Sequence, residues 1–163
     1  VYAIDVGYGR LAWKLRCDER VVSLERTNFR YVTREQVPDE IDFASVDVSF
    51  ISLKLILPVM HTLLKNGGRS VCLIKPQFEA GKENIGKKGV VRDKSVHASV
   101  VENITCFAAE NGFKVIGVDF SPIKGPEGNI EYLMYIEKND EGGMLWEGSV
   151  ADLVERSHEN LDK

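Results

Sequence analysis

Cysteine is scarce in this chain of 163 residues: Cys17, Cys72 and Cys106 are odd in number and widely spaced. That excludes a framework in which every cysteine is paired and offers no zinc-ligand spacing, so they read as reduced thiols of a cytoplasmic protein, with no metal expected. Long apolar runs are also lacking. The best, Leu53 to Leu64, is interrupted by Lys54 and His61 and falls far short of the roughly 20 residues a bilayer span needs. No secretory signal opens the chain, which starts directly on Val1-Tyr2-Ala3-Ile4-Asp5, a segment that reads as a buried strand and points to an amputated beginning. There is no excess of positive charge either. The net charge of -4 means that any affinity for nucleic acid must come from how charges are distributed, not from their sum.

What is present is the composition of one globular domain, 44% hydrophobic and 28% charged. Apolar runs of strand length recur at Val1–Asp5, Val21–Glu25, Ile41–Phe50, Ser70–Lys75, Val115–Phe120 and Tyr132–Glu137. Helical spacing fills the gaps at Arg10–Arg16, Leu53–Leu64 and Ser95–Glu110. This alternation predicts βα units on a mainly parallel sheet covered by helices. The stretch from Ser121 to Glu131 leaves no room for a crossover helix, so the last two strands should form an antiparallel hairpin at one sheet edge. Asn139 to Gly143 reads as a linker to a polar terminal helix, Ser149–Asp162, whose weak amphipathic pattern predicts loose docking or docking on a partner.

Ligands of open α/β sheets bind beyond the carboxyl ends of the strands, so charged residues there are the first candidates. Asp5 follows a strand and precedes Gly7 and Gly9; its carboxylate is placed either for two ribose hydroxyls of a nucleoside cofactor or to cap a helix starting near Tyr8. Asp47 stands where a buried strand turns into its loop, and Lys75 ends the apolar run Val71 to Ile74 before Pro76 stops it. Buried charges need partners, so the two form either a reacting constellation or a structural ion pair. The hairpin returns Glu131 towards the same strand ends. A lysine between carboxylates could serve a hydroxyl nucleophile as a neutral base or, as an ammonium, by steadying a developing alkoxide.

Basic residues cluster after Lys75 in a Gly-rich frame, where Lys82, Lys87, Lys88 and Arg92 lie in what reads as a long mobile loop. Such a loop grips RNA phosphates or is merely solvated surface.

Several stretches in order resemble the TlyA, or haemolysin-A-type, proteins of the FtsJ-like ribose methyltransferases. They are Ala3–Arg16, Glu25–Asn28, Asp47–Leu53, Ile74–Glu79, Lys88–Asp93 and Gly125–Glu131. The resemblance implies a Rossmann-like α/β methyltransferase fold for residues 1–138, mostly parallel, ending in an antiparallel hairpin and with its first strand missing; 139–163 would be linker and C-terminal helix. It implies S-adenosylmethionine as cofactor, with Asp5, Tyr8, Thr27, Asn28 and Asp47 near it, and Asp47, Lys75 and Glu131 as members of the family's Lys-Asp-Lys-Glu catalytic set. The substrate implied is a ribose 2′-hydroxyl of ribosomal RNA, with the ribosomal subunit as partner. Family members carry upstream an RNA-binding domain, a strand, a Gly-rich loop and the first catalytic lysine, so the resemblance implies a fragment of a longer protein. Two other readings compete: a non-catalytic RNA-binding, ribosome-associated module, and a membrane-active haemolysin, against which the absence of a span and of an obviously membrane-seeking helix speaks.

Overall fold

The computed structural model describes residues 1–162. Two sheets are present. Strands β1 (Tyr2–Ile4) and β2 (Val22–Leu24) pair in parallel, joined by a crossover that contains the single-turn helix α1 (Trp13–Arg16). The main sheet holds β3 (Ile41–Val46), β4 (Leu64–Ile74), β5 (Phe113–Phe120), β6 (Tyr132–Lys138) and β7 (Gly143–Met144), in the order β3-β4-β6-β5-β7. β3 and β4 are parallel, as are β5 and β7, and β6 is inserted antiparallel between β4 and β5. Helices α2 (Leu53–Leu63), α3 (Pro76–Glu79), α4 (Lys94–Glu110) and α5 (Val150–Leu161) connect or follow these strands. The mainly parallel sheet and the hairpin are as the apolar pattern predicts.

The core follows from helical periodicity meeting the pleat. Leu53, Ile56, Leu57 and Met60 share one stripe of α2, Val100, Val101, Ile104 and Ala108 one of α4, and both stripes belong to the buried cluster that includes Cys72, Ile74, Val115, Met134 and Ile136. Burial pushes the Cys72 thiol up to about 11, which keeps it protonated and unreactive.

Several boundaries differ from the predicted ones. β3 stops at Val46, and Asp47 to Ser52 form a loop in which Phe50 adopts a left-handed φ of 62°. β4 begins at Leu64, directly after α2. Its register against β3 jumps between Leu64 and Arg69, because Gly67, at φ 80°, and Gly68 let the strand bulge. The predicted helix Arg10–Arg16 shrinks to α1, whose start lacks a side-chain cap. The hairpin is not the edge of the sheet, since Gly143 and Met144 add β7 outside β5.

Between β1 and β3 lies a cavity of about 690 Å³, lined by Tyr2, Ile4, Phe29, Ile41, Val46 and Asp47 among others. β1 pairs only with β2, and β3 only with β4, so each strand turns an unpaired edge towards this cavity. The β1–β2 ladder is held to the rest through a small second cluster, Val32, Val37 and Leu63.

Helix α5 is docked, not loose. Leu153, Val154, Ser157 and His158 form its buried face, and half of that face is polar because it completes a hydrogen-bond network. The Tyr132 hydroxyl meets Ser157 Oγ at 2.9 Å and His97 Nδ1 at 3.1 Å; His97 Nδ1 also lies 2.9 Å from His158 Nε2, and His97 Nε2 2.8 Å from the Val91 carbonyl. His158 Nδ1 reaches Asp162, which Lys124 also holds. Burial, and secondarily His158, hold His97 below the ordinary histidine value, against the opposing pull of the Val91 carbonyl, Asp162 and Asp93. A depressed histidine contributes stability that is full above its unfolded value of 6.5 and is lost as pH falls through its folded value. The thermal midpoint should therefore fall as the pH is lowered from 7 towards 5, and His97→Asn should flatten that slope in calorimetry; an equal slope in the variant would remove His97 from the acid response.

Candidate active site at the strand ends

Because β1, β2, β3 and β4 all end at residues followed by a polar side chain, Asp5, Glu25, Asp47 and Lys75 stand at strand carboxyl ends. Glu131 joins them from the opposite direction: β6 starts at Tyr132, which pairs with Ile74, so Glu131 and Lys75 leave the same end of adjacent strands.

Lys75 is only 7% exposed. Its Nζ lies 2.5 Å from Asp47 Oδ1 and donates to Ser49 Oγ at 3.2 Å. The Asp47–Ser52 loop therefore supplies both partners that make a buried ammonium tolerable. Glu131, 6% exposed, comes to the same edge but makes no ion pair with Lys75 within 4 Å; it accepts instead from Gln77 Nε2 at 2.8 Å. Of the two carboxylates expected beside the Lys75 ammonium, Asp47 pairs with it, while Glu131 takes its side-chain hydrogen bond from Gln77 and does not pair with Lys75.

The segment after Lys75 fastens this site from both sides. Pro76 starts α3 at the position where its missing N–H costs nothing. Two turns of chemistry follow: Gln77 takes Glu131, and Glu79 accepts from the Ser52 hydroxyl at 2.7 Å and from the Leu53 N–H at 2.8 Å, at the start of α2. Burial raises the Glu79 carboxyl above its usual range, against these hydrogen bonds. Ser49, Gln77 and Glu79 were not singled out from sequence, although polar residues beside a buried lysine are a usable signal. Phe50 is a further such residue: it is 89% exposed, and its ring lies 4.8 Å from that of Phe78 at the site's rim.

Around β1, the Asp5 carboxylate accepts from Gly7 N–H at 2.7 Å. It caps no helix, since α1 begins only at Trp13, so the capping alternative falls away. Thr27 is adjacent, its N–H on the Asp5 carbonyl and its hydroxyl on that of Glu25. Asn28 spends its side-chain oxygen on the Arg30 N–H, capping the turn Phe29–Tyr31. Tyr8 is exposed, its ring 4.6 Å from the Arg26 guanidinium. Glu25, overlooked from sequence, accepts from Gly9 N–H and pairs with Arg16.

Lys82, Lys87, Lys88 and Arg92 are all exposed on the loop before α4. The second half of that loop is anchored rather than free. Val90 and Val91 are buried, Asn129 accepts from the Val91 N–H at 3.0 Å and donates to the Gly89 carbonyl at 3.1 Å, and His97 holds the Val91 carbonyl. The basic loop is thus tied to the loop that carries Glu131. No group of metal-binding side chains is found among the described residues, and no helix there is long and apolar enough to cross a membrane.

Comparison with known proteins agrees with this geometry. The chain is 52% identical to a protein of Bacillus subtilis provisionally named as the rRNA methyltransferase YqxC, over 98% of the chain and 58% of that protein. It is 42% identical to the 16S/23S rRNA (cytidine-2′-O)-methyltransferase TlyA of Mycobacterium tuberculosis, over 96% and 58% respectively. A solved structure of a provisionally named hemolysin from Streptococcus thermophilus superposes with a TM-score of 0.94 at 49% identity, covering 99% of this chain and 59% of that one. The chain thus spans less than three-fifths of these relatives. The FtsJ-like methyltransferase family matches residues 1–138, and the chain belongs to that family.

Proposed function

We propose that this chain is the greater part of the catalytic domain of a cytoplasmic, S-adenosylmethionine-dependent methyltransferase that modifies a ribose 2′-hydroxyl of ribosomal RNA. The observation that carries the reading is Lys75: a nearly buried lysine at the end of a core strand, paired with Asp47, at the edge to which Glu131 returns. FtsJ-like methyltransferases in general use S-adenosylmethionine, and two relatives are named for cytidine 2′-O-methylation of rRNA.

The residues present fit such a nucleoside cofactor. Asp5, half-buried and accepting from the Gly7 N–H, keeps a carboxylate oxygen for ribose hydroxyls; Thr27, bonded to the Asp5 carbonyl, with Asn28 and Tyr8 on the adjoining loops, would complete the cofactor's surroundings, and Asp47 lines the cavity between β1 and β3. When bound, the cofactor supplies an electrophilic methyl group on a sulfonium. The protein's task is to present the hydroxyl oxygen and remove its proton as the oxygen–methyl bond forms. Lys75, as an ammonium beside Asp47, steadies the negative charge on that oxygen, and the exposed Asp47 carboxylate is placed to accept the proton. Exposed Phe50 offers a ring on which the target base can stack. The two unpaired edges of β1 and β3 fit one further parallel strand between them, which would join the two sheets into one. Residues 139–162 add β7 to the main sheet and α5 to its core.

The test is transfer of a labelled methyl group from S-adenosylmethionine to rRNA by the full-length protein, followed by nuclease digestion; a label found elsewhere than on a 2′-oxygen refutes the reading. Lys82, Lys87, Lys88 and Arg92 serve as phosphate contacts. Replacing Lys87 and Lys88 with Ala should lower RNA affinity and reduce the logarithmic salt slope by about 0.7–0.9 for each lost contact, whereas an unchanged slope would leave the loop as solvated surface.

A further inference from the structure

Gln77 stands out as the one described residue with a buried side-chain polar atom that finds no partner: its Nε2 donates to Glu131, while its Oε1 has neither a donor nor solvent. A buried acceptor left empty destabilises the fold, and such atoms persist where another demand outweighs stability. The demand here is visible on the other side of the bond. Gln77 is the only side chain among the described residues that hydrogen-bonds Glu131, and both are almost fully buried. Lys75, Asp47 and Glu79, the charged groups at the neighbouring strand and helix ends, are each committed elsewhere.

Gly125 closes the carboxylate in from the opposite face. A Cβ at this position would lie 2.4 Å from Glu131 Cδ and Oε2, inside any tolerable contact, and its neighbours in the turn are tied by the bond from Gly125 N–H to the Asn129 carbonyl at 2.8 Å. The carboxylate is thus gripped between an amide that donates to it and a backbone that has no side chain. If Gln77 served packing alone, an apolar side chain of its size would fill the same volume without an orphaned oxygen.

We propose that Gln77 is a positioning residue for Glu131, holding its carboxylate oriented at the reaction edge, with Gly125 as the wall against which it is held. This rests on the methyltransferase reading given above. Gln77→Met conserves volume and removes the donor, leaving the buried carboxylate free to turn away from the edge.

The experiment is single-turnover methylation across pH on the full-length protein for Gln77→Met, Gly125→Ala, Glu131→Ala and the Gln77→Met/Glu131→Ala double variant, with cofactor affinity and thermal midpoint measured alongside. The inference expects Gln77→Met to lose on the order of tenfold or more in rate with cofactor affinity and thermal midpoint retained. Gly125→Ala, which displaces the carboxylate without touching Gln77, should act in the same direction. The double variant should be no slower than Glu131→Ala. Additive losses, or a full rate in Gln77→Met, overturn the inference. If the full-length wild type transfers no methyl group to rRNA, the methyltransferase reading fails by itself. The Gln77 contact is then judged by the side-chain amide signals of Gln77 in ¹⁵N spectra: a shift in Glu131→Ala upholds the grip on Glu131, and unmoved signals refute it.

Discussion

Lys75→Ala in the full-length protein should leave cofactor affinity nearly unchanged and cut single-turnover methyl transfer by about 10²-fold or more, which is roughly 2.7 kcal/mol of barrier. The size follows from what the side chain does. Its ammonium reaches the reaction edge from the end of a core strand, and its partners Asp47 and Ser49 lie on a loop, so its removal takes the cation away while the sheet keeps its pairing. A merely structural ion pair predicts a different pattern: stability and cofactor affinity would fall together with turnover, instead of the chemical step alone. Chemical quench, calorimetric titration and a melting curve on one variant separate these outcomes, and an undiminished rate in a folded, cofactor-binding Lys75→Ala would sink the proposed role.

The largest stability effect is expected far from that edge. Leu153, fully buried on α5 against the α4 side of the core, should cost about 2–5 kcal/mol when cut to Ala, because the surrounding helices close a cavity only in part. For a domain of this size that is a fall of roughly 5–15 °C in the thermal midpoint. A fall of only a degree or two would mean that α5 rests on the surface, as its sequence suggests.

That contrast shows what the chain reveals before it folds. Asp47 and Lys75 were legible because an apolar run that ends in a charge places the charge at a strand terminus, and Glu131 because a short, helix-free connection forces a hairpin back to the same end. The core stripes of α2 and α4 were legible for the same periodic reason. α5 was misjudged because half of its buried face is Ser157 and His158, residues that count as polar until Tyr132 and His97 are seen to satisfy them. β7 is two residues long, too short for any periodicity to register. Gln77 and Glu79 carry no pattern of their own; their roles arise from partners 54 and 26 residues away in sequence, which only the tertiary fold supplies. The separation of β1 and β2 from the main sheet was likewise hidden, since an apolar strand reads alike whether one of its edges is filled or bare.

The bare edges also set a hierarchy of opening. The β1–β2 ladder contributes three residue pairs and rests on a cluster of three buried side chains, whereas β4 is flanked by a strand on both sides from Arg69 to Cys72 and feeds the main core. Local unfolding draws on the contacts an element must break, so the ladder can swing free at a small fraction of the cost of melting the core. Asp5, Tyr8 and Thr27 would leave with it, while Lys75, Gln77 and Glu131 stayed assembled. In the isolated chain, amide hydrogens of the ladder should exchange with solvent long before those of β4 and β6, so the residues proposed to hold the nucleoside would loosen while those proposed for the chemistry stay in place.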